Sequence, residues 1–518
     1  ILNSENNNYD ANLNLGIISF EQNNLIDAEK YFIKALKIKK DYKGFVNLAK
    51  LYSETKRTEL ANNIYSELIQ QNNSLELLKL YGANLIRHRD FNKAEIIINK
   101  ALINNQNDIE ALNYLGAIKK EKKQVRDSIK IFENILKTAP NNSSANFNLA
   151  SIFFDLQEYE KSIKYFNYCI INNKKNYSAF NSLGYAYQSI GEFGKALTNY
   201  QKSLQVNEMY MPAKWNLARL HLFLGEYRKG SSKYLEAIKI KNEIDYQIPN
   251  DQIIWSKKPL KDNIILKAEQ GLGDEIMSSS LFNELKNNFP NISISCDQRL
   301  SLIFKRSFPS IDFVERKKNQ KIEFDKKYIL ARSLTPFFRN SIKDFDQEKL
   351  GWLKTSKTKV EEINQKFNKN STKLRVGISW NTKGADYKLR KLSISQMLNG
   401  LDLDKFEFFN LEYLDFKAEI NNFYKTNNEL INLIEDLDYQ NDLEGLLALI
   451  DSCDIILTIS NAIAHLAGSL GKKTWVYVPY NCQWWWTFKS KKSLWYPSIN
   501  ICRQTKPKEW SEIIKITN

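Results

Sequence analysis

Two stretches far apart in the chain carry the side chains best suited to moving a proton and holding an anion. The first is Gln270-Gly271-Leu272-Gly273-Asp274-Glu275. Glycines at 271 and 273 let the backbone approach a ligand closely, and Asp274 is a carboxylate able to take a proton from a hydroxyl or amide acceptor. The order is not the G-x-G-x-x-G dinucleotide fingerprint, because no third glycine follows, and a purely structural turn would use the same glycines. The second stretch is Asp454–Pro479, DIILTISNAIAHLAGSLGKKTWVYVP, which holds His465, the last of three histidines. Ser460 and Asn461 are N-cap types, so Ala462–Leu470 reads as a helix whose free N–H groups would meet an anion. His465 lies one turn into that helix, as a ligand-facing imidazole or as an ordinary packed core histidine. A basic run, Asn381–Lys391 (NTKGADYKLRK), follows Trp380. Its Lys383, Lys388, Arg390 and Lys391 suit a departing diphosphate; the plainer reading is a solvated charge run. No group with metal-ligand spacing is visible to do that job instead.

The surrounding elements alternate strand and helix, the pattern of a doubly wound parallel sheet. Asn263–Ala268 reads as a buried strand before the glycine turn, with helix Ile276–Asn287 after it. Ile292–Cys296, Phe313–Glu315 and Lys327–Ala331 read as further strands, and Ser333–Asn340 as a loop at a strand end. Residues 341–370, with helical spacing around Val360–Phe367, form a crossover. Arg375–Trp380, Phe406–Leu411, Leu430–Leu433, Asp454–Ile459 and Thr474–Val478 are strands of a second lobe, with helices at Ser395–Leu401 and Asp442–Ile450. Such sheets bind ligands at the carboxyl ends of their strands, where Asp274, Asn381 and Ser460 all fall. The aromatic tail, Trp484-Trp485-Trp486 and Trp495-Tyr496, either stacks on a ligand or seals an interface, and sealing is favoured. Glu509–Ile516 reads as a closing helix.

Upstream the period is different. Small residues recur at Gly16, Ala49, Gly82, Gly116, Ala150, Gly184 and Ala218, at steps of 33 or 34. Twelve residues after each comes a second small side chain, from Ala28 to Gly230, and four further on a large apolar one, from Phe32 to Tyr234. This resembles the tetratricopeptide repeat seven times over: the small residues let two helices of a hairpin approach, and the aromatic fills space between hairpins. A stacked array presents a groove that takes an extended peptide or protein partner. Asn113, Asn148 and Asn181, each three positions before a small residue, are candidate groove contacts; alternatively they satisfy local backbone.

At 518 residues, 43% hydrophobic and 12% aromatic, the chain has material for several packed domains. The expected divisions are a solenoid over 1–240, a first lobe over 241–370 and a second over 371–518. The net charge of +16 favours anionic partners. Nucleic acid is not expected, since no recognition motif is present and the lysines are dispersed. No apolar run nears the ~20 residues that span a bilayer. The five cysteines are odd in number and scattered, as free thiols in the cytoplasm would be. The sequence begins at Ile1 rather than Met, which leaves an upstream leader open.

Taken in order, QGLGDE, VGISWNTK with its basic loop, SNAIAHLAGSLGKKTWVYVP and SLWYPSINICRQ resemble tetratricopeptide-repeat proteins with a C-terminal GT-B glycosyltransferase domain. They are similar to heptosyltransferases and, more loosely, to O-linked N-acetylglucosamine transferase and flagellin glycosyltransferases. The resemblance implies an α-solenoid followed by two Rossmann-like lobes, and metal-independent transfer from a nucleotide-diphosphate sugar, with no permanently bound cofactor. Gln270, Gly271, Gly273 and Asp274 match the acceptor-side loop, with Asp274 as base. Ser460, Asn461, Ala464 and His465 match the donor diphosphate turn, with His465 at the catalytic centre; Trp380, Asn381, Lys383, Lys388 and Arg390 complete the donor side. Many relatives have Asp-Thr where this chain has Ser460-Asn461. The implied acceptor is a protein docked on the repeats. The alternatives are a non-catalytic scaffold with a degenerate domain, or an enzyme acting on a lipid-linked or polysaccharide acceptor.

Overall fold

The computed structural model describes the chain except residues 1–7, 242–247, 261, 269–270, 317–325, 349, 368–370, 384–389, 400, 426–429, 508 and 511–518. Two compact units emerge, Ile1–Ala179 and Phe180–Asn518. The expected closing helix lies almost wholly outside the described residues.

Among the described residues, fourteen helices run from Tyr9 to Lys241. In the first unit they form hairpins such as Tyr9–Glu21 with Leu25–Ile38, and Ile109–Glu121 with Val125–Thr138. Asparagine and aspartate start many of them: Asn8, Asn24, Asp90, Asp108 and Asn142 each accept a backbone N–H of the first turn. The large apolar side chain of the second helix sits on the small residue of its own partner helix. A Cβ on Gly16 would stand 2.5 Å from Phe32, and one on Gly116 would stand 2.5 Å from Phe132. The ring therefore fills the hairpin itself, not the gap between hairpins expected from the period. Where the second small residue is serine, its hydroxyl is used: Ser128 donates to Gly116 O at 2.7 Å and Ser162 to Ala150 O at 2.8 Å.

One further periodic feature is invisible to hydropathy. The turn inside each hairpin places a residue at positive φ: Asn23, Lys56, Arg89, Lys123 and Gln157 near +60°, then Gly191 and Gly225 above +80°. Only the last two are glycine, the residue type that adopts this conformation without a Cβ clash.

In the second unit the last array helices pack with two parallel sheets. Tyr227 Oη lies 2.9 Å from Thr487 Oγ1, and Ser231 donates to Arg339 O at 3.0 Å. These contacts place the division between units inside the array, at Ala179/Phe180, whereas the sequence suggests residue 240. The first sheet comprises β1 (Ile264–Lys267), β2 (Ile292–Cys296), β3 (Asp312–Glu315) and β4 (Lys327–Leu330), in the order β3-β2-β1-β4. The second comprises β5 (Leu374–Ser379), β6 (Phe406–Asn410), β7 (Ile431–Asn432), β8 (Ile455–Ile459), β9 (Thr474–Val478) and β10 (Ile499–Arg503), in the order β10-β9-β8-β5-β6-β7. Every strand pair is parallel. Buried apolar runs such as Ile456–Ile459 explain this, because helices cover both faces of a parallel sheet. The order reverses between β1 and β4 in one sheet and between β5 and β8 in the other; such switch points open a crevice beyond the strand ends.

Three local expectations change. The helix after the glycine turn starts at Leu272 and breaks into Leu272–Ser279 and Phe282–Asn288. Ser279 and Ser280 hydroxyls turn back onto Ile276 O and Met277 O, both at 2.7 Å, which ends the first piece. The expected loop at 333–340 contains helix Leu334–Phe338, because Leu334, Phe337 and Phe338 are all buried. β10 is an additional strand in the tail, paired with β9.

Replacing Lys123, at φ +61°, with glycine relieves a left-handed backbone that costs a non-glycine residue ~1–2 kcal/mol, partly offset by the entropy that glycine loses on folding. The unfolding free energy from urea titration should therefore rise slightly, by no more than about 1 kcal/mol. The same change at Lys122, which precedes the turn at negative φ, should lower it.

Candidate active site

The segment after β1 is held from below. Glu275, almost wholly buried, accepts from Asp297 N at 2.9 Å and from Arg316 Nη2 at 2.5 Å, and Arg316 also donates to Ala268 O at 3.0 Å. Asp274 stands one residue earlier, in the first helical turn, and its Oδ2 accepts from Gly271 N at 3.3 Å. Burial raises its pKa above the ordinary aspartate value; the Gly271 N–H and the charges of Arg332 and Arg219 act in the opposite sense. Arg332 follows β4, so carboxylate and guanidinium sit at the two sides of the first sheet's switch point.

At the other switch point, Asn461 ties β8 to β5. Its Nδ2 donates to Ser379 Oγ at 2.8 Å and Asn381 O at 3.1 Å, while its Oδ1 accepts from Ile463 N, Ala464 N and Thr458 Oγ1. The helix N-terminus is thus already capped at two N–H groups, which corrects the expectation of free amides there. The Ala462 amide faces the Tyr413 hydroxyl, whose pKa burial pushes up to about 12. Ser460 is also engaged, donating to Gln483 Oε1 at 2.9 Å and accepting from Trp486 Nε1 at 2.7 Å. Glu412, fully buried, gathers Ser379 Oγ, Trp380 N and Asn381 N on one carboxylate oxygen and Leu414 N on the other.

These segments line one cavity of about 530 Å³. Its walls come from chain that follows β1, β2, β5, β6, β7, β8 and β9, so the carboxyl edges of both sheets face it. It gathers Gly271, Gly273 and Asp274 with Lys383, Arg390, Ser460, Asn461 and His465. Thr382, Tyr413, Gln483, Trp485 and Arg299 also line it. Strand-end position was the signal for these, since each lies within seven residues of a strand's end. Arg390 Nη1 donates to Ser460 O at 3.1 Å. Arg299 is held by both Asp297 oxygens at 2.9 Å and reaches across to Gln440 O at 3.0 Å. Among the described lining residues, Asp274 is the one acid against Arg299, Lys383 and Arg390.

His465 joins the two halves of the cavity. Its Nδ1 lies 2.7 Å from Tyr496 Oη, and the rings of Trp485, Trp486 and Tyr496 surround it at 5.6–5.9 Å. Burial lowers its pKa to about 3, so the imidazole is neutral at ordinary pH. A Cβ on Gly273 would stand 2.8 Å from His465 Cδ2; the second glycine is there for this contact.

Trp380 does not join the cavity: its side chain is fully buried in the core of the second sheet, packed beside Val376 and Leu457. Ala464 is buried as well and offers an amide already taken by Asn461. Asn381 stands behind the wall, accepting from Asn461. Gln270 and Lys388 lie outside the described residues. In the first unit, Asn113 Nδ2 donates to Ile109 O at 2.8 Å and Asn148 Nδ2 to Ser144 O at 3.0 Å, each one turn back on its own helix. In the second unit, Asn181 Oδ1 accepts from Asn216 at 3.0 Å.

Tetratricopeptide repeat models match residues 9–42, 121–175 and 177–208. The chain carries tetratricopeptide repeats. Protein FlbA of Caulobacter vibrioides is 24% identical over 278 residues, covering 49% of this chain and 45% of FlbA; the chain thus spans about half the length of that curated relative. Among solved structures, a tetratricopeptide repeat protein from Parabacteroides merdae is 17% identical, covering 46% of this chain and 96% of its own, with a TM-score of 0.39. PilF of Pseudomonas aeruginosa is also 17% identical, covering 40% of this chain and 95% of its own, with a TM-score of 0.33. No described helix is long and apolar enough to cross a membrane.

Gly273→Ala forces the His465 ring aside and should cost about 1–3 kcal/mol, the usual penalty of overpacking. Thermal unfolding checks this against Gly194→Ala, where nothing lies within 4 Å of the added methyl and no loss is expected.

Proposed function

We propose that the chain is a GT-B glycosyltransferase, moving a sugar from a nucleotide-diphosphate donor to an acceptor, with a protein brought by the repeats as the favoured acceptor. The observation that carries this reading is a cavity on which both parallel sheets open at their switch points, lined among the described residues by a carboxylate of raised pKa from one sheet and two cations of the other. In this reading the repeats occupy residues 1–240 and the two lobes 241–370 and 371–518.

The roles follow from charge and position. A nucleotide diphosphate lies against the second sheet, where Lys383 and Arg390 neutralise the charge that grows on the departing diphosphate. No metal is assigned to that step. Asp274, on the opposite wall, accepts the proton of the attacking group. Its raised pKa makes it a stronger base than an exposed aspartate.

A second reading has an observation of its own. Asn461 and Tyr413 already occupy the amides at the start of helix Ala462–Leu470, so a diphosphate gains less there than at an uncapped helix. On that reading the domain is a scaffold without turnover.

Thermal-shift measurements with UDP, GDP, CMP, ADP and dTDP separate the two. One nucleotide at ~100 times its dissociation constant should stabilise the chain by about 2.7 kcal/mol. Arg390→Ala should weaken that binding about tenfold. No shift with any nucleotide favours the scaffold.

Asp274→Asn should abolish transfer and preserve nucleotide binding; normal turnover by this variant would remove Asp274 from the base role. A base must be deprotonated, so kcat/KM should rise with pH through the Asp274 pKa and level off above it. The acid limb of the profile should lie above the ~3.9 of an unperturbed aspartate.

A further inference from the structure

We propose that Tyr496 fixes His465 as the neutral tautomer protonated on Nε2, so that the imidazole serves as a hydrogen-bond donor to a ligand oxygen beside Asp274, not as a proton acceptor. Tyr496 is then a positioning residue. The ligand half of this statement rests on the cavity's being the reaction site; the tautomer does not.

The argument is one of hydrogen-bond accounting. Tyr496 is fully buried, and its hydroxyl has His465 Nδ1, at 2.7 Å, as its hydrogen-bond partner among the described residues. A buried phenol keeps its O–H satisfied, and Nδ1 is the acceptor within reach. If Nδ1 carried the proton instead, it would donate to the phenol oxygen and leave the O–H without an acceptor. With Nδ1 accepting, the single proton of the neutral ring sits on Nε2. The ring walls of Trp485, Trp486 and Tyr496 exclude water, and burial keeps the imidazole neutral.

The Nε2 edge of the ring faces Gly273. A Cβ there would stand 2.8 Å from Cδ2 and 3.3 Å from Nε2, so only glycine lets the backbone lie this close to the edge, and the same two residues line the cavity. Asp274 follows directly, and its charge also acts on Tyr496. The N–H therefore meets an acceptor: a phosphate oxygen, or an oxygen of the sugar. Proton abstraction is left to Asp274, and the two groups divide the chemistry as base and neutral donor.

The test uses the full chain labelled with ¹⁵N-histidine, which has three rings to resolve, the others being His88 and His221. His465→Gln identifies the third by its disappearance. The expected spectrum for His465 is the neutral Nε2–H pattern, unchanged from pH 5 to 8. A neutral Nδ1–H pattern, or an imidazolium in that range, overturns the proposal. Tyr496→Phe should alter the ring ¹⁵N pattern of His465; an unchanged pattern in a folded variant removes Tyr496 from the positioning role. If that variant fails to fold, the wild-type spectrum still decides the tautomer. For the ligand half, glutamine carries an N–H near the Nε2 position and asparagine near the Nδ1 position. His465→Gln should retain transfer within about tenfold and His465→Asn should lose about a hundredfold. Equal loss in both overturns the donor role. The expected spectrum in a chain that binds no nucleotide would leave the tautomer standing and bring down the transferase reading alone.

Discussion

Two helices from different sheets, Leu272–Ser279 and Ala462–Leu470, meet where Gly273 lies against the edge of the His465 ring. This seam is fastened by Trp352. Its backbone N–H donates to Ser469 O of the second helix at 2.8 Å, and its indole donates to Ser279 Oγ of the first at 2.8 Å. The same indole stacks on Tyr496 at 5.4 Å, and Tyr496 in turn holds His465. One residue of the crossover thus bridges the two helices and packs against the phenol that meets the imidazole. Cores transmit such settings because they are close-packed, and a shift of a few tenths of an ångström at Trp352 has no void to absorb it.

The second switch point is held by polar groups instead of apolar ones, and that choice has a cost which the local donors offset. Among the described residues no guanidinium or ammonium is bonded to the buried carboxylate of Glu412; burial raises its pKa, and four N–H and O–H donors oppose the rise. Three of those donors come from the consecutive residues Ser379, Trp380 and Asn381, so the carboxylate fixes the path of the chain as it leaves β5. Asn461 works on the same turn from β8. An aspartate in its place would cap the helix equally well but has no N–H to give Ser379 and Asn381. The Ser460-Asn461 pair is explained by this: asparagine adds a cross-strand tie, and serine bridges Gln483 to Trp486.

Much of this was legible in the sequence, for identifiable reasons. The period of 33 or 34 survives because a large apolar side chain sits on the small residue, Phe32 on Gly16, Ile98 on Gly82, Phe132 on Gly116 and Tyr200 on Gly184, so composition records the packing directly. β8, helix Ala462–Leu470 and β9 were readable because apolar runs, an N-cap and Gly471 in the left-handed region punctuate them. The positive-φ turns were not, because Lys56, Arg89 and Lys123 look like ordinary surface residues and reveal nothing of backbone conformation. Nor were Trp352, Glu412 and Arg332, whose partners lie far away in sequence. Trp380 was misplaced for a related reason: strand-end position brought it to the right edge of the sheet, but the alternation of a strand turned its side chain into the core.

His465 shows where sequence reasoning stops. Scarcity and position single it out, and the sequence offers two readings, ligand-facing or packed in the core. The ring is 4% exposed and boxed by aromatic side chains, as a core histidine would be, while one edge borders the cavity. What decides its chemistry is neither its type nor its neighbours in the chain but the phenol of Tyr496, thirty-one residues on. Burial strips the imidazole of its charge, and the phenol assigns its one proton to the side that faces Asp274. A residue ordinarily named for exchanging protons is thereby left with a fixed one, and in the proposed transfer the exchange is assigned to the carboxylate whose pKa burial has raised.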